Sequence, residues 1–205
     1  MPATTWLRDH VAGLLATWGL AVAGGMLLLA AYAASPGEPG APPARWPAGT
    51  ALPLDDRRPT LLMFLHPRCP CSRASLAELT VLMDCCGDGV AARAVVYRPR
   101  RGGEDWSPPD LRAALAAIPG LDVSTDFDGE EARRFAVATS GHVVLYGPRG
   151  DRLFSGGITP GRSEQGDNPG RSALLGRILG GDGEAPGCPV FGCPLATPRP
   201  DPGQG

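Results

Sequence analysis

The run His66-Pro67-Arg68-Cys69-Pro70-Cys71 connects an apolar, strand-like segment, Leu61 to Leu65, with a helix-like segment starting near Ser72. Two thiols therefore stand at a helix start, where backbone N–H groups and the positive end of the helix dipole favour the thiolate. Arg68 and Arg73 flank the pair and would strengthen that effect. Thiolates so placed carry out redox exchange or bind metals, whereas unreactive structural thiols belong in apolar, uncharged surroundings.

The elements that must hold this motif follow along the chain. Thr60 to His66 has the composition of a buried strand, and Ser72 to Met83 reads as a helix with Leu76, Leu79 and Met83 on one face. Gly87-Asp88-Gly89 ends that helix, and Val90 to Tyr97 is the next strand. Pro108 to Ile118 is a helix closed by Pro119-Gly120, followed by a short strand, Leu121 to Ser124. Glu130 to Val137 is a short helix whose Glu130-Glu131 opening suits the dipole of a solvated helix start. His142 to Tyr146 and Arg152 to Phe154 flank Gly147-Pro148-Arg149-Gly150 as a hairpin, and Asn168 to Leu179 is the last helix. The order β-α-β-α-β-α-β-β-α predicts an α/β domain.

Ahead of this domain, Val11 to Ala33 is an uncharged apolar run of about 23 residues, long enough to span a bilayer as one helix. Ala31-Tyr32-Ala33 has the small-x-small pattern of a cleavage site, but signal h-regions run only about 7 to 15 residues, so an uncleaved anchor is the expectation. The chain then divides into an anchor (residues 1–34), a Pro/Gly/Ala-rich tether (35–59), the α/β domain (60–179) and a flexible, cysteine-containing tail (180–205). Six cysteines beyond the anchor fit an extracytoplasmic compartment in which disulfides persist. The net charge of −2 and a pI near 5.9 give no basic footprint for nucleic acid. All 19 basic residues are arginine, which excludes Schiff-base and Walker-type lysine chemistry.

The element order, with a thiol motif at the first strand-to-helix junction, resembles the thioredoxin fold, and specifically its membrane-tethered, extracytoplasmic members. Phe64 stands five residues before Cys69, as the family's strand phenylalanine stands before its first active-site cysteine. In that register Cys69 keeps the nucleophile position, Cys71 stands one residue early across Pro70, and Ser72 takes the place of the resolving cysteine. The motif and the tail, Cys188-Pro189-Val190-Phe191-Gly192-Cys193-Pro194-Leu195, are similar to those of RedB-like proteins. The resemblance implies thiol-disulfide exchange with a protein partner: Cys69 attacks and Cys71 resolves, with no cofactor. A Cys-x-Cys disulfide closes a smaller ring than Cys-x-x-Cys, which suits an oxidant or isomerase.

Two departures open a second reading. Gly141, in Thr139-Ser140-Gly141-His142, stands where the family has a proline that guides substrate and keeps metals from the thiols. His66 lies three residues before Cys69, and the resemblance would bring His142 to the same place. Cys69, Cys71, His66 and His142 then form a ligand set for copper or zinc. A peroxidase is disfavoured, because His66 replaces the threonine that such enzymes place before their cysteine. Of the remaining thiols, adjacent Cys85 and Cys86 are poor partners for each other. Cys188 and Cys193 either staple the tail or reach Cys69 as a resolving pair, with the staple as the expected outcome.

Overall fold

The computed structural model describes residues 3–101, 106–181 and 187–195. It divides into two compact units, Met1–Ser35 and Pro36–Gly205. The first is helix α1 (Ala3–Ala33), of which His10–Ala33 is long and apolar enough to cross a membrane. The helix starts earlier than the apolar run alone predicts. The Thr17 hydroxyl donates to the Gly13 carbonyl at 2.9 Å, so this polar group is satisfied within the helix, as a lipid surrounding would require.

The second unit is built on a five-stranded sheet in the order β3-β2-β1-β4-β5. Its elements are β1 (Thr60–Leu65), α2 (Cys71–Cys86), β2 (Ala91–Arg98), α3 (Pro109–Ala116), β3 (Leu121–Phe127), α4 (Glu130–Arg134), β4 (His142–Tyr146), β5 (Arg152–Gly156) and α5 (Pro169–Ile178). β1, β2 and β3 run parallel, while β4 and β5 pair antiparallel, with β1 at the centre between β2 and β4. A parallel βαβ unit carrying the thiols, then a hairpin and a closing helix, is the thioredoxin-like arrangement. α2 runs on to Cys86, past the expected end at Met83, until Gly87 turns the chain with φ +51. α4 is shorter than expected, because Ala136 adopts φ +50 and cannot continue a right-handed helix.

Strand alternation separates two cores. Leu61, Met63 and Leu65 of β1 face Leu76, Leu79 and Leu82 of α2, Leu111 and Leu115 of α3, and Leu174 of α5. This layer is pinned by buried Glu78 of α2, which pairs with Arg171 of α5 and accepts the Gly166 N–H at 2.6 Å. The opposite face carries Leu62, Phe64, Val144 and Tyr146, with only the short α4 to cover it.

Residues 36–59 complete that second layer, which differs from the semi-extended tether expected from composition. Trp46 packs edge-on against Phe135 and Tyr146, with ring centroids 5.2 and 5.1 Å apart, and Leu52 is buried beside them. The Ala41 N–H donates to Ala136 O at 2.9 Å, and Tyr146 Oη donates to Pro43 O at 3.0 Å. Proline-rich chain cannot pair regularly, but it can lie flat and bury single aromatics. The part of the tail within residues 187–195 is also seated rather than free, as the site shows below.

Phe135 touches Trp46, Phe64 and Tyr146 and is fully buried. Phe135→Ala is expected to cost about 3–5 kcal/mol, read as a lower urea midpoint of the full chain at unchanged m-value. A loss below about 1 kcal/mol would mean that this face does not depend on its aromatic packing.

Candidate functional site

The central strand β1 delivers the motif to the carboxyl end of the sheet, where a network of buried hydroxyls holds it. The His66 N–H donates to Ser140 Oγ at 2.8 Å, and the His66 carbonyl accepts from Ser72 Oγ at 2.9 Å and from the Cys69 N–H at 3.0 Å. Ser72 Oγ and Ser140 Oγ lie 3.1 Å apart. With the Ser72 hydroxyl committed to His66 O, the Ser140 hydroxyl is left to donate to Ser72. Ser72, read as the occupant of a resolving cysteine's place, thus works as a clamp between β1, α2 and the loop before β4. Gly141 lies at the same junction with φ +90, its N–H bonded to Phe64 O at 2.7 Å. A Cβ there would come within 2.6 Å of Ser75 Oγ on α2, so the close approach requires glycine.

Cys69 and Cys71 are both buried. Pro70 has helical angles, φ −63 and ψ −28, and the Ser72 N–H donates to Cys69 O at 3.1 Å, so the motif is already wound into the first turn. Cys71 Sγ accepts the Ser163 hydroxyl at 3.5 Å. Residues 187–195 run past these thiols, and the Cys193 N–H points at Cys69 Sγ, 3.4 Å away. No disulfide joins any two of the six cysteines. The tail staple expected between Cys188 and Cys193 is therefore not formed. Cys188 bridges Gly156 on β5, whereas Cys193 belongs to the Cys69 cluster.

Burial works against an anion at Cys69. Hydrogen bonds from the Cys193 thiol and N–H, and from the N–H and thiol of Cys71, outweigh it and hold the Cys69 thiol below the usual range. The same contacts act in reverse on Cys193, which burial and its hydrogen bond to Cys69 push up to about 12. Cys86 and Cys188 are also raised, chiefly by burial.

The two arginines do not contribute as their positions in sequence led us to expect. Arg68 lays its guanidinium over the Trp106 ring, 3.8 Å from the centroid, and Arg73 is paired with Asp110 of α3. The thiolate is supported by neighbouring thiols and backbone instead. Trp106, Ser140, Ser163 and Gly192 carried no signal in the sequence, because each acts through a contact between distant segments.

The four residues of the metal reading are not assembled into one site. His142 sits in β4 in register with Phe64, and its Nε2 lies 2.8 Å from Ser155 Oγ. Burial, with Arg152 adding to it, lowers its pKa to about 4. His66 stacks on Tyr97, with centroids 5.2 Å apart, and its Nδ1 accepts the Arg68 N–H at 3.2 Å. Burial, then Arg68, lowers its pKa too. Among the described residues, no group of three or more His, Cys, Asp or Glu side chains is placed to hold a metal ion. Both histidines are engaged in packing the fold.

The tail is fitted closely to the loop 138–140. The Ser140 N–H donates to Cys193 O and the Leu195 N–H to Ala138 O, each at 2.8 Å, and Thr139 and Pro194 form an antiparallel bridge. Arg162 Nη1 donates to Gly192 O at 2.7 Å. A Cβ on Gly192 would lie 2.0 Å from the Ser140 carbonyl oxygen, so only glycine lets the two backbones approach so closely.

No family model matches the chain, and no curated protein matches it. Among solved structures it is similar to an uncharacterized conserved protein from Geobacillus kaustophilus, with 20% identity and a TM-score of 0.58 over 82% of this chain and 94% of that one. A hypothetical protein from Sinorhizobium meliloti 1021 aligns with 20% identity and a TM-score of 0.58 over 80% and 96%. These two likenesses bear on the fold alone. A secreted Mycobacterium tuberculosis disulfide oxidoreductase homologous to E. coli DsbE aligns more weakly, with 18% identity and a TM-score of 0.44 over 62% and 83%.

Gly192→Ala should lift the tail from its seat. A docking penalty of about 1–3 kcal/mol is expected to raise the rate of Cys69 alkylation by iodoacetamide roughly ten- to hundredfold, with little change at exposed Cys85. An unchanged rate would mean that the tail does not guard the sulfur. In the native chain the pH midpoint of Cys69 alkylation is expected below the usual thiol range and that of Cys188 above it, both read by peptide mass spectrometry.

Proposed function

We propose that this chain is a membrane-anchored thiol-disulfide oxidoreductase whose domain stands outside the cytoplasm and works through its Cys-Pro-Cys motif. The observation that carries the reading is the enclosed Cys69 sulfur, set at the N-terminus of α2 among hydrogen bonds that favour its thiolate over its thiol. A low-pKa cysteine is both the better nucleophile at neutral pH and the better leaving group in thiol-disulfide exchange. In this reading the chain is a RedB-like protein, which leaves the substrate open.

In this reading Cys69 Sγ attacks one sulfur of a disulfide in a partner protein. A bond forms between the two sulfurs, the partner's own S–S bond breaks, and the other partner sulfur leaves as a thiolate that takes a proton from water. A second thiol of this chain then attacks Cys69 Sγ and frees the partner as a dithiol. The motif offers Cys71 for that step. Electrons move only between sulfurs, so the exchange calls for no cofactor, and the partners are cysteine-bearing proteins. α1 is long and apolar enough to serve as the anchor, and six cysteines suit an oxidising compartment.

Cys69→Ser is expected to drop the rate at which the full chain reduces insulin disulfides to that of dithiothreitol alone, whereas Cys85→Ser keeps the native rate. Retention of activity by Cys69→Ser would sink the reading. For topology, alkaline carbonate should leave the chain in the membrane pellet. An impermeant maleimide should label exposed Cys85 on intact cells, and labelling only after lysis would place the domain inside.

A further inference from the structure

We infer that Cys193, carried on the seated tail, is the thiol that resolves the mixed disulfide at Cys69, so that the working redox pair is Cys69 and Cys193. The inference rests on the proposed role of Cys69 as nucleophile. It is built on where the two candidate partners of that sulfur lie.

Cys71 shares a helical turn with Cys69. Its thiol donates to Cys69 Sγ and its sulfur in turn accepts the Ser163 hydroxyl, so it is held by bonds on both sides. A bond between Cys69 and Cys71 would close a small ring across Pro70 inside a turn already held by the Ser72 N–H bond to Cys69 O. Cys193 comes from a separate segment, 124 residues away in sequence, and meets Cys69 from outside the helix. Its approach is fixed on both sides. Ser140 holds its carbonyl and Arg162 that of Gly192, while buried Val190 and Leu195 anchor the segment before and after it. None of these contacts involves the Cys193 side chain, which is left to react.

The chemistry closes without leftover atoms. Cys69 thiolate attacks the partner disulfide, giving a Cys69–partner disulfide and one partner thiolate, which takes a proton from water. Cys193 then gives its proton to the departing second partner sulfur, its Sγ bonds to Cys69 Sγ, and the Cys69–partner bond breaks. The partner gains two electrons and two protons, and the Cys69–Cys193 pair becomes the disulfide. A dithiol reductant returns those electrons for the next cycle. The order of steps is set by charge. While Cys69 is a thiolate, burial and the shared hydrogen bond keep the Cys193 thiol protonated. Conversion of Cys69 to a mixed disulfide removes that neighbouring negative charge, and Cys193 ionises more readily at the moment it is needed.

Because Cys69 is only 1% exposed beneath the tail, a bulky disulfide reaches it only when this segment lifts, and resolution follows when it reseats. The test uses the full chain in detergent, equilibrated with oxidised and reduced dithiothreitol, quenched with N-ethylmaleimide and mapped by peptide mass spectrometry. A cross-link between the Cys69 and Cys193 peptides is expected. A Cys69–Cys71 disulfide with Cys193 alkylated would overturn the inference while leaving the oxidoreductase reading intact, and Cys69 alkylated at every ratio would overturn both. In a second arm the chain is treated with glutathione disulfide. The adduct on Cys69 is expected to persist at least about tenfold longer in Cys193→Ser than in the native chain or Cys71→Ser, because an intramolecular thiol acts at high effective concentration. Equal lifetimes in Cys193→Ser and the native chain, or prolongation in Cys71→Ser alone, would assign resolution elsewhere.

Discussion

Taking a sulfur anion out of water removes its hydration, and the surroundings of Cys69 answer that loss with donors. None of the donors is an arginine. They are backbone N–H groups and thiols, which carry no full charge of their own and need no counter-anion. They come from two distant parts of the chain, so the site exists only when both converge. The first turn of α2 supplies the Cys71 donors, and the tail supplies those of Cys193. The Ser72, Ser140 and His66 bonds keep β1, α2 and the loop before β4 in register so that both can reach the same atom.

The asymmetry of the sheet explains why the ends of the second unit matter so much. One face has three helices, whereas the other has the five-residue α4 and would leave Leu62, Val144 and Tyr146 open to water. Residues 36–59 fill that gap with Trp46, Leu52 and Leu54, and Leu195 of the tail joins the same layer. Cys188 packs on the other core, so residues 188–195 pass from one face of the sheet to the other across its end. Cys193 lies between those two anchors. Segments without helix or strand of their own are thus fixed by the cores they cap, and the tail is fixed where the thiols are.

What could be read from sequence follows from the range of the interaction concerned. The motif, the strand before it and the helix after it are local: the α2 leucines declared themselves by spacing, and Phe64 and Cys69 through the resemblance. β4 and β5 did so as well, through the Gly- and Pro-bearing turn between them. The roles of Arg68 and Arg73 were misread because charge near a thiol in sequence is not charge near it in space. Trp106 and Asp110, which hold the two guanidinium groups, lie more than thirty residues further along the chain. His142 was drawn to the cysteines by the same kind of proximity argument, but strand alternation put it on the Val144 and Tyr146 side. Residues 36–59 and the tail were judged by composition, and proline or glycine content gives no sign of a single tryptophan or leucine that finds a core.

The opposed shifts of Cys69 and Cys193 also bear on the direction of exchange. One hydrogen bond is shared between them, and it favours the state in which Cys69 carries the charge and Cys193 the proton. That bond, and those from Cys71, are lost once Cys69 enters a disulfide, because a disulfide sulfur is a far weaker acceptor than a thiolate. Interactions present only in the reduced form stabilise it and make the corresponding disulfide a stronger oxidant. The closely seated tail works the other way, since contacts through Gly192 and Ser140 hold Cys193 beside Cys69 and so favour a bond between them. The poise of the proposed pair would be the difference between these two effects. In the proposed exchange, every donor that deepens the Cys69 thiolate would move the pair toward oxidation of partners, and every contact that seats the tail would move it back.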